Sequence, residues 1–162
     1  MGSARRWILV AATIAAASPA SAAGLDPLAF FTGRTRGNGT LKIVLKAQVP
    51  ISVDSHGKPD GHGGIVLDQI IREGSKPLRN RRWVLRPTSS TTLSGTLTDA
   101  AGQVRGSVSG RVLQLNYTRK DGLRASHVLT LQPGGRTMTN HMTVKRLGLV
   151  VARVEEVIRK LD

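Results

Sequence analysis

The sequence predicts an all-β fold, an antiparallel sandwich or barrel, on three observations. Apolar and polar residues alternate with period two in short runs. Glycine-containing turns separate those runs about every ten residues. The 18 glycines suit the bends and tight turns that a closing sheet needs.

Each element follows from that pattern. A lead-in over residues 23–38 carries the pair Phe30-Phe31, and the β-domain is expected over 39–162. Leu41, Ile43, Leu45 and Ala47 alternate with Lys42, Val44 and Lys46, and Val49, Ile51 and Val53 continue the alternation. A turn is expected from His56 to Gly64, followed by Ile65, Leu67, Gln69 and Ile71 on one face. Trp83 and Leu85 sit among arginines between Arg81 and Arg86. Leu93 and Leu97 lead to a turn at Asp99 to Gly102, and Val104 and Val108 follow. Leu113, Leu115 and Tyr117 run up to Lys120-Asp121-Gly122, and Leu123, Ala125, His127, Leu129 and Leu131 run up to Pro133-Gly134-Gly135. Met138, Asn140, Met142 and Val144 complete the clear series. Residues 149–161 read either way: Val150, Val151, Val154, Val157, Ile158 and Leu161 fall near helical spacing, while their β-branched content favours a strand.

The N-terminus reads as an export signal. Arg5-Arg6 makes a positive start, Trp7 to Ala17 an apolar run, and Ala20-Ser21-Ala22 a small-x-small cleavage pattern. The run is far shorter than the about 20 residues that span a bilayer. Cleavage after Ala22 and residence in the periplasm are therefore expected, by the ordinary secretory route ahead of the twin-arginine one. Removing Arg5 and Arg6 from 24 basic residues against 10 acidic leaves +12. Without cysteine there is no disulfide, thiolate metal site, cysteine nucleophile or lipid-carrying cysteine. Stability must come from a core of Val, Leu, Ile and Met. The excess positive charge suits an anionic membrane surface or ligand. Nucleic acid is not expected, because neither interleaved stacking aromatics nor a recognition helix is visible.

Several elements together resemble an uncharacterised proteobacterial family of lipocalin-like envelope proteins of unknown function. They are Phe30-Phe31-Thr32-Gly33, Gly37-Asn38-Gly39, Arg82-Trp83, the run Asp99, Gly102, Gly106, Gly110, Tyr117, and finally Asn140, Met142, Lys145 and Gly148. The resemblance implies a lipocalin-like up-and-down barrel whose last segment is a strand. It implies no activity and no catalytic residues. Members of that family look like lipoproteins; this chain lacks the cysteine, so it is expected to be free of a lipid anchor.

In a barrel of about eight strands the interior is filled or holds one small ligand. The candidate ligand-binding residues are the inward polar and aromatic ones: Gln69, Trp83, Tyr117, His127 and Asn140. The alternative is a polar cluster that satisfies itself. Around Pro133 to Gly135, one register with both apolar faces inside pairs Leu129 with Met138 and His127 with Asn140, leaving His141 outside. The aliphatic lining suits a lipid or fatty acyl chain, with Arg34, Arg36, Arg79 and Arg81 at the mouth for an anionic head group. A filled barrel docking through its basic surface is the rival reading. The spacing of His56, Asp60 and His62 matches no defined metal motif. No nucleophile elbow, phosphate loop or carboxylate pair stands out; Glu155-Glu156 lie in the ambiguous last segment with basic neighbours. A monomeric, cofactor-free, metal-free and non-enzymatic binder is expected.

Overall fold

Alternation with tight turns leads to sequential antiparallel pairing, and the computed structural model, which describes residues 26–162, has that topology. The export segment and its cleavage site lie outside the described residues. A short helix α1 (Pro27–Phe31) precedes β1 (Gly33–Ile43), β2 (Val49–Pro59), β3 (Ile65–Glu73), β4 (Arg79–Pro87) and β5 (Thr92–Leu97). The chain continues through β6 (Val104–Ser109), β7 (Val112–Thr118), β8 (Arg124–Leu131), β9 (Thr137–Arg146) and β10 (Leu149–Lys160). Every strand pairs with its neighbours in sequence, and β1 closes the barrel on β10 from Thr35↔Lys160 to Ile43↔Ala152.

The last segment is a strand because its barrel-facing residues are Val154, Glu156 and Ile158, at period two. Ten strands in place of about eight widen the interior, since barrel diameter grows with strand number. The domain also starts earlier than 39: Gly33 to Asn38 belong to β1. The first turn comes sooner than the alternation suggests. Lys46 N donates to Ile43 O at 3.1 Å, closing a turn that puts Leu45 at φ 62, wholly exposed rather than facing the core. The next strand runs longer than expected, so that His56 lies in β2 and the turn is only Asp60–Gly64. The β8–β9 register differs by two residues: His127 pairs with Met142 and Leu129 with Asn140. Parity is preserved, so the same faces point inward.

Val104, Leu113 and Met138 have no exposed surface and anchor one continuous core. Outside, Asp54 bridges Arg36 and Arg72 at 2.6 Å each, and Arg82 grips Asp68. Such exposed pairs stabilise little. No helix among the described residues is long and apolar enough to cross a membrane.

Candidate functional site

One end of the barrel is plugged. Asp26 caps α1, its Oδ1 accepting from Leu28 N at 3.0 Å and Ala29 N at 3.1 Å. The cap fixes Phe30 and Phe31, edge to face at 4.9 Å, as buried parts of the core. Lys160 at the end of β10 closes the seam, its Nζ donating to the carbonyls of Phe30 at 3.1 Å and Ala29 at 3.2 Å. The helix backbone lies so close to β2 that a Cβ at Gly57 would stand 1.9 Å from Phe31 O. Above the plug, Leu67, Leu85, Leu93, Leu113, Leu115 and Leu129 pack around a residual space of about 50 Å³.

A polar layer crosses the barrel above those leucines. On one side Gln69 Oε1 accepts from Trp83 Nε1 at 2.8 Å and Arg81 Nε at 2.9 Å, while its Nε2 donates to Ser55 Oγ at 3.0 Å. On the other, His127 Nδ1 lies 3.2 Å from Asn140 Oδ1, and Asn140 Nδ2 donates to Glu156 Oε2 at 2.9 Å. Tyr117 Oη lies 3.4 Å from His127 Nε2. An amide oxygen only accepts, so Nδ1 of His127 carries the proton and Nε2 receives the Tyr117 hydroxyl. The Trp83 ring joins the two sides, meeting Tyr117 at 5.6 Å and His127 at 5.8 Å.

Electrostatics follow from burial. Loss of water, reinforced by nearby Arg81, pushes the His127 pKa down to about 3, so the ring is neutral. Burial raises the Glu156 carboxyl and the Tyr117 phenol. Arg81 is held down by the same desolvation. Its guanidinium lies over the Trp83 ring at 5.3 Å and, among the described residues, donates only through Nε. The two terminal nitrogens are therefore unpartnered, and Arg81 borders the open cavity above the layer. Glu156 is likewise bonded on Oε2 alone.

That upper cavity holds about 660 Å³ and opens at the end opposite α1. Its walls are aliphatic, among them Leu41, Ile51, Ile71, Met142, Val144 and Val154. Arg81, His127, Asn140 and Glu156 form its floor, and Lys76, Arg79, Arg119 and Arg146 stand at its rim. Volume and composition match those of small-molecule sites.

Gln69, Trp83, Tyr117, His127 and Asn140 thus meet in one layer, with His127 and Asn140 in contact although they are not cross-strand partners. The expected arginines do not meet. Arg34 and Arg36 face outward near the plugged end, paired with Asp162 and Asp54. Arg79 stays at the open rim, bound to Asp99 at 2.6 Å. Arg81 points inside because it shares the parity of Trp83 and Leu85 in β4.

Glu156 was absent from the expected site. Reading Val154 and Ile158 at period two would have placed it inside. Gly37 on β1 makes room for it, since a Cβ there would lie 1.7 Å from Glu156 Oε1. In the His56–His62 loop, Asp60 instead holds Arg86 and accepts from the backbone N–H groups of His62 and Gly64. No group of three metal-ligating side chains occurs among the described residues.

An S-type phycobiliprotein lyase from Guillardia theta has a similar structure, with a TM-score of 0.65 at 7% identity over 83% of this chain and 90% of that one. At that identity the likeness shows the fold, which is lipocalin-like. No curated protein matches the sequence. The family described as protein of unknown function, DUF3833, matches residues 11–160. The chain, a lipocalin-like barrel with an open cavity over a polar floor, belongs to that family.

Proposed function

We propose that the protein is an exported, periplasmic, non-catalytic carrier of an amphiphile with one anionic head group, such as a fatty acid. The observation that carries this reading is the open aliphatic cavity ending on the unpartnered terminal nitrogens of Arg81. Arg81 is half-buried, and its terminal nitrogens are not sealed from the cavity, so a bound anion can reach them. Its planar fork suits a carboxylate or phosphate. The head group binds at the floor, and the chain lies along Leu41, Ile71, Met142 and Val154 toward the mouth. A head at the rim is less well served, because Arg79 and Arg119 already hold Asp99 and Asp121. No cofactor is invoked, and the carrier acts as a monomer.

Titration with cis-parinaric acid tests the reading. Saturable one-to-one binding is expected, weakened in Met142→Trp, which fills the cavity, with the melting temperature of that variant checked. The probe should be recovered chemically unchanged, in contrast to any lyase-type reaction. Absence of binding, or binding indifferent to cavity filling in a folded variant, overturns the reading.

A further inference from the structure

Of the seven exposed large apolar residues among the described residues, five are concentrated at one place; the other two, Ile70 and Leu161, lie on the outer face of β3 and at the plugged end. Val44 and Leu45 lie in the β1–β2 turn, Leu78 just before β4, and Leu147 and Leu149 at the β9–β10 turn. All three connections lie at the open end. Because the barrel order runs β9-β10-β1-β2-β3-β4, they are consecutive along the rim. Val44 N donates to Val151 O at 3.0 Å, which ties the first hairpin tip to the base of the next.

Two of these leucines oppose their own backbone. Leu45 has φ 62 at the third position of its turn, where glycine or asparagine is favoured. Leu147 has φ 49 and leads the two-residue loop Leu147-Gly148, a place usually held by asparagine, aspartate or glycine. They are 99% and 96% exposed, so neither contributes to the core. A bulky apolar residue that is strained and fully exposed, at two adjacent tips, is not explained by folding.

The charge around the tips is positive. Lys46, Lys145 and Arg146 are exposed and have no acidic partner among the described residues, and Glu73, at the same rim, is engaged by Lys76. Apolar tips ringed by basic residues fit a surface with an anionic layer over hydrocarbon.

We propose that the open rim docks on an anionic lipid bilayer, with Leu45, Leu147 and Leu149 inserted at the level of the head groups and Lys46, Lys145 and Arg146 on the lipid phosphates. The cavity mouth then faces the membrane, and an amphiphile can pass between the two without crossing water. The docking stands independently of what the cavity holds.

Flotation of the ligand-free protein with phosphatidylcholine vesicles, plain or carrying about a third phosphatidylglycerol, tests it. Binding is expected only to the anionic vesicles and should weaken as salt rises from ~0.1 M to ~1 M. The double variant Leu45→Asn/Leu147→Asn keeps every charge and relieves both backbones. It should bind at least about tenfold more weakly, the loss of two buried leucines, with a melting temperature no lower than that of the parent. No binding by the parent, or equal binding by the double variant, overturns the proposal. So does sedimentation showing a lipid-free dimer that the double variant dissolves, which would assign the tips to a second copy of the chain.

Discussion

At the end closed by α1, the β2–β3 turn is Asp60–Gly64 and the β8–β9 turn runs through Pro133, Gly134 and Gly135; both are small or polar. At the open end, Leu45 and Leu147 occupy turn positions of the same kind. The strands are continuous from one end to the other, so the difference is not one of architecture. The plugged end buries Phe30 and Phe31 and makes its turns from residues suited to water, with Leu161 its one exposed large apolar side chain among the described residues. The open end presents large apolar residues outward and leaves a cavity within. One end is closed by packed side chains, and the other leaves a cavity open and apolar tips in solvent.

Truncating a large apolar side chain at each end should have very different costs. Phe30→Ala, at 4% exposure, should cost about 3–5 kcal/mol and unseat α1. Leu45→Ala, at 99% exposure, should change stability by no more than about 0.5 kcal/mol. Urea unfolding of both variants gives the answer; similar costs would mean that the open rim is structural after all.

The polar layer between the ends gives the next largest effect, through pH. His127 titrates near 3 when folded and near 6.5 when unfolded. Between those values the unfolded chain takes up a proton that the folded ring refuses. Stability should therefore fall by about 1.4 kcal/mol per pH unit as pH drops from 6.5 toward 4. Glu156 has the opposite sign: its raised pKa contributes fully in acid, and that contribution is lost as pH rises through the folded value. His127→Gln should flatten the acid slope in unfolding experiments run across pH. An unchanged slope would show that the ring is hydrated or charged in the folded protein.

A smaller effect separates binding from stability. Arg81→Met removes a half-buried charge while Gln69 keeps its bond from Trp83. Ligand-free stability should be unchanged or higher by about 1 kcal/mol, measured by thermal melting. A loss of more than about 2 kcal/mol would mark Arg81 as a structural residue. The smallest effect is at the tips, where Leu147→Asn should gain about 0.5–1 kcal/mol by relieving a left-handed leucine.

Much of this was legible because strand alternation is a local signal. The inward faces of Gln69, Trp83, Tyr117, His127 and Asn140 follow from parity, and parity survived the two-residue slip between β8 and β9. What escaped depended on where strands stop and on a segment with two readings. Leu45 continues an unbroken alternation, and only the turn closed by Lys46 N removes it from the strand. Glu156 was hidden because Leu149 to Leu161 also fits a helix, in which it would face water. Arg81 lies in an arginine-rich stretch in which charge predicts solvent. Parity with Trp83 and Leu85 was the better guide, and the same rule applied to Val154 and Ile158 would have recovered Glu156.

The central claim is that the floor of the open cavity recognises an anionic head group through Arg81. It is tested most directly by titrating a long-chain fatty acid and its matched primary alcohol into the protein and into Arg81→Gln. The parent should bind the acid more tightly, by about tenfold or more as expected for a charge-assisted pair, and the variant should bind the two nearly equally. Equal binding of acid and alcohol by the parent, or a preference that survives in Arg81→Gln, would contradict it.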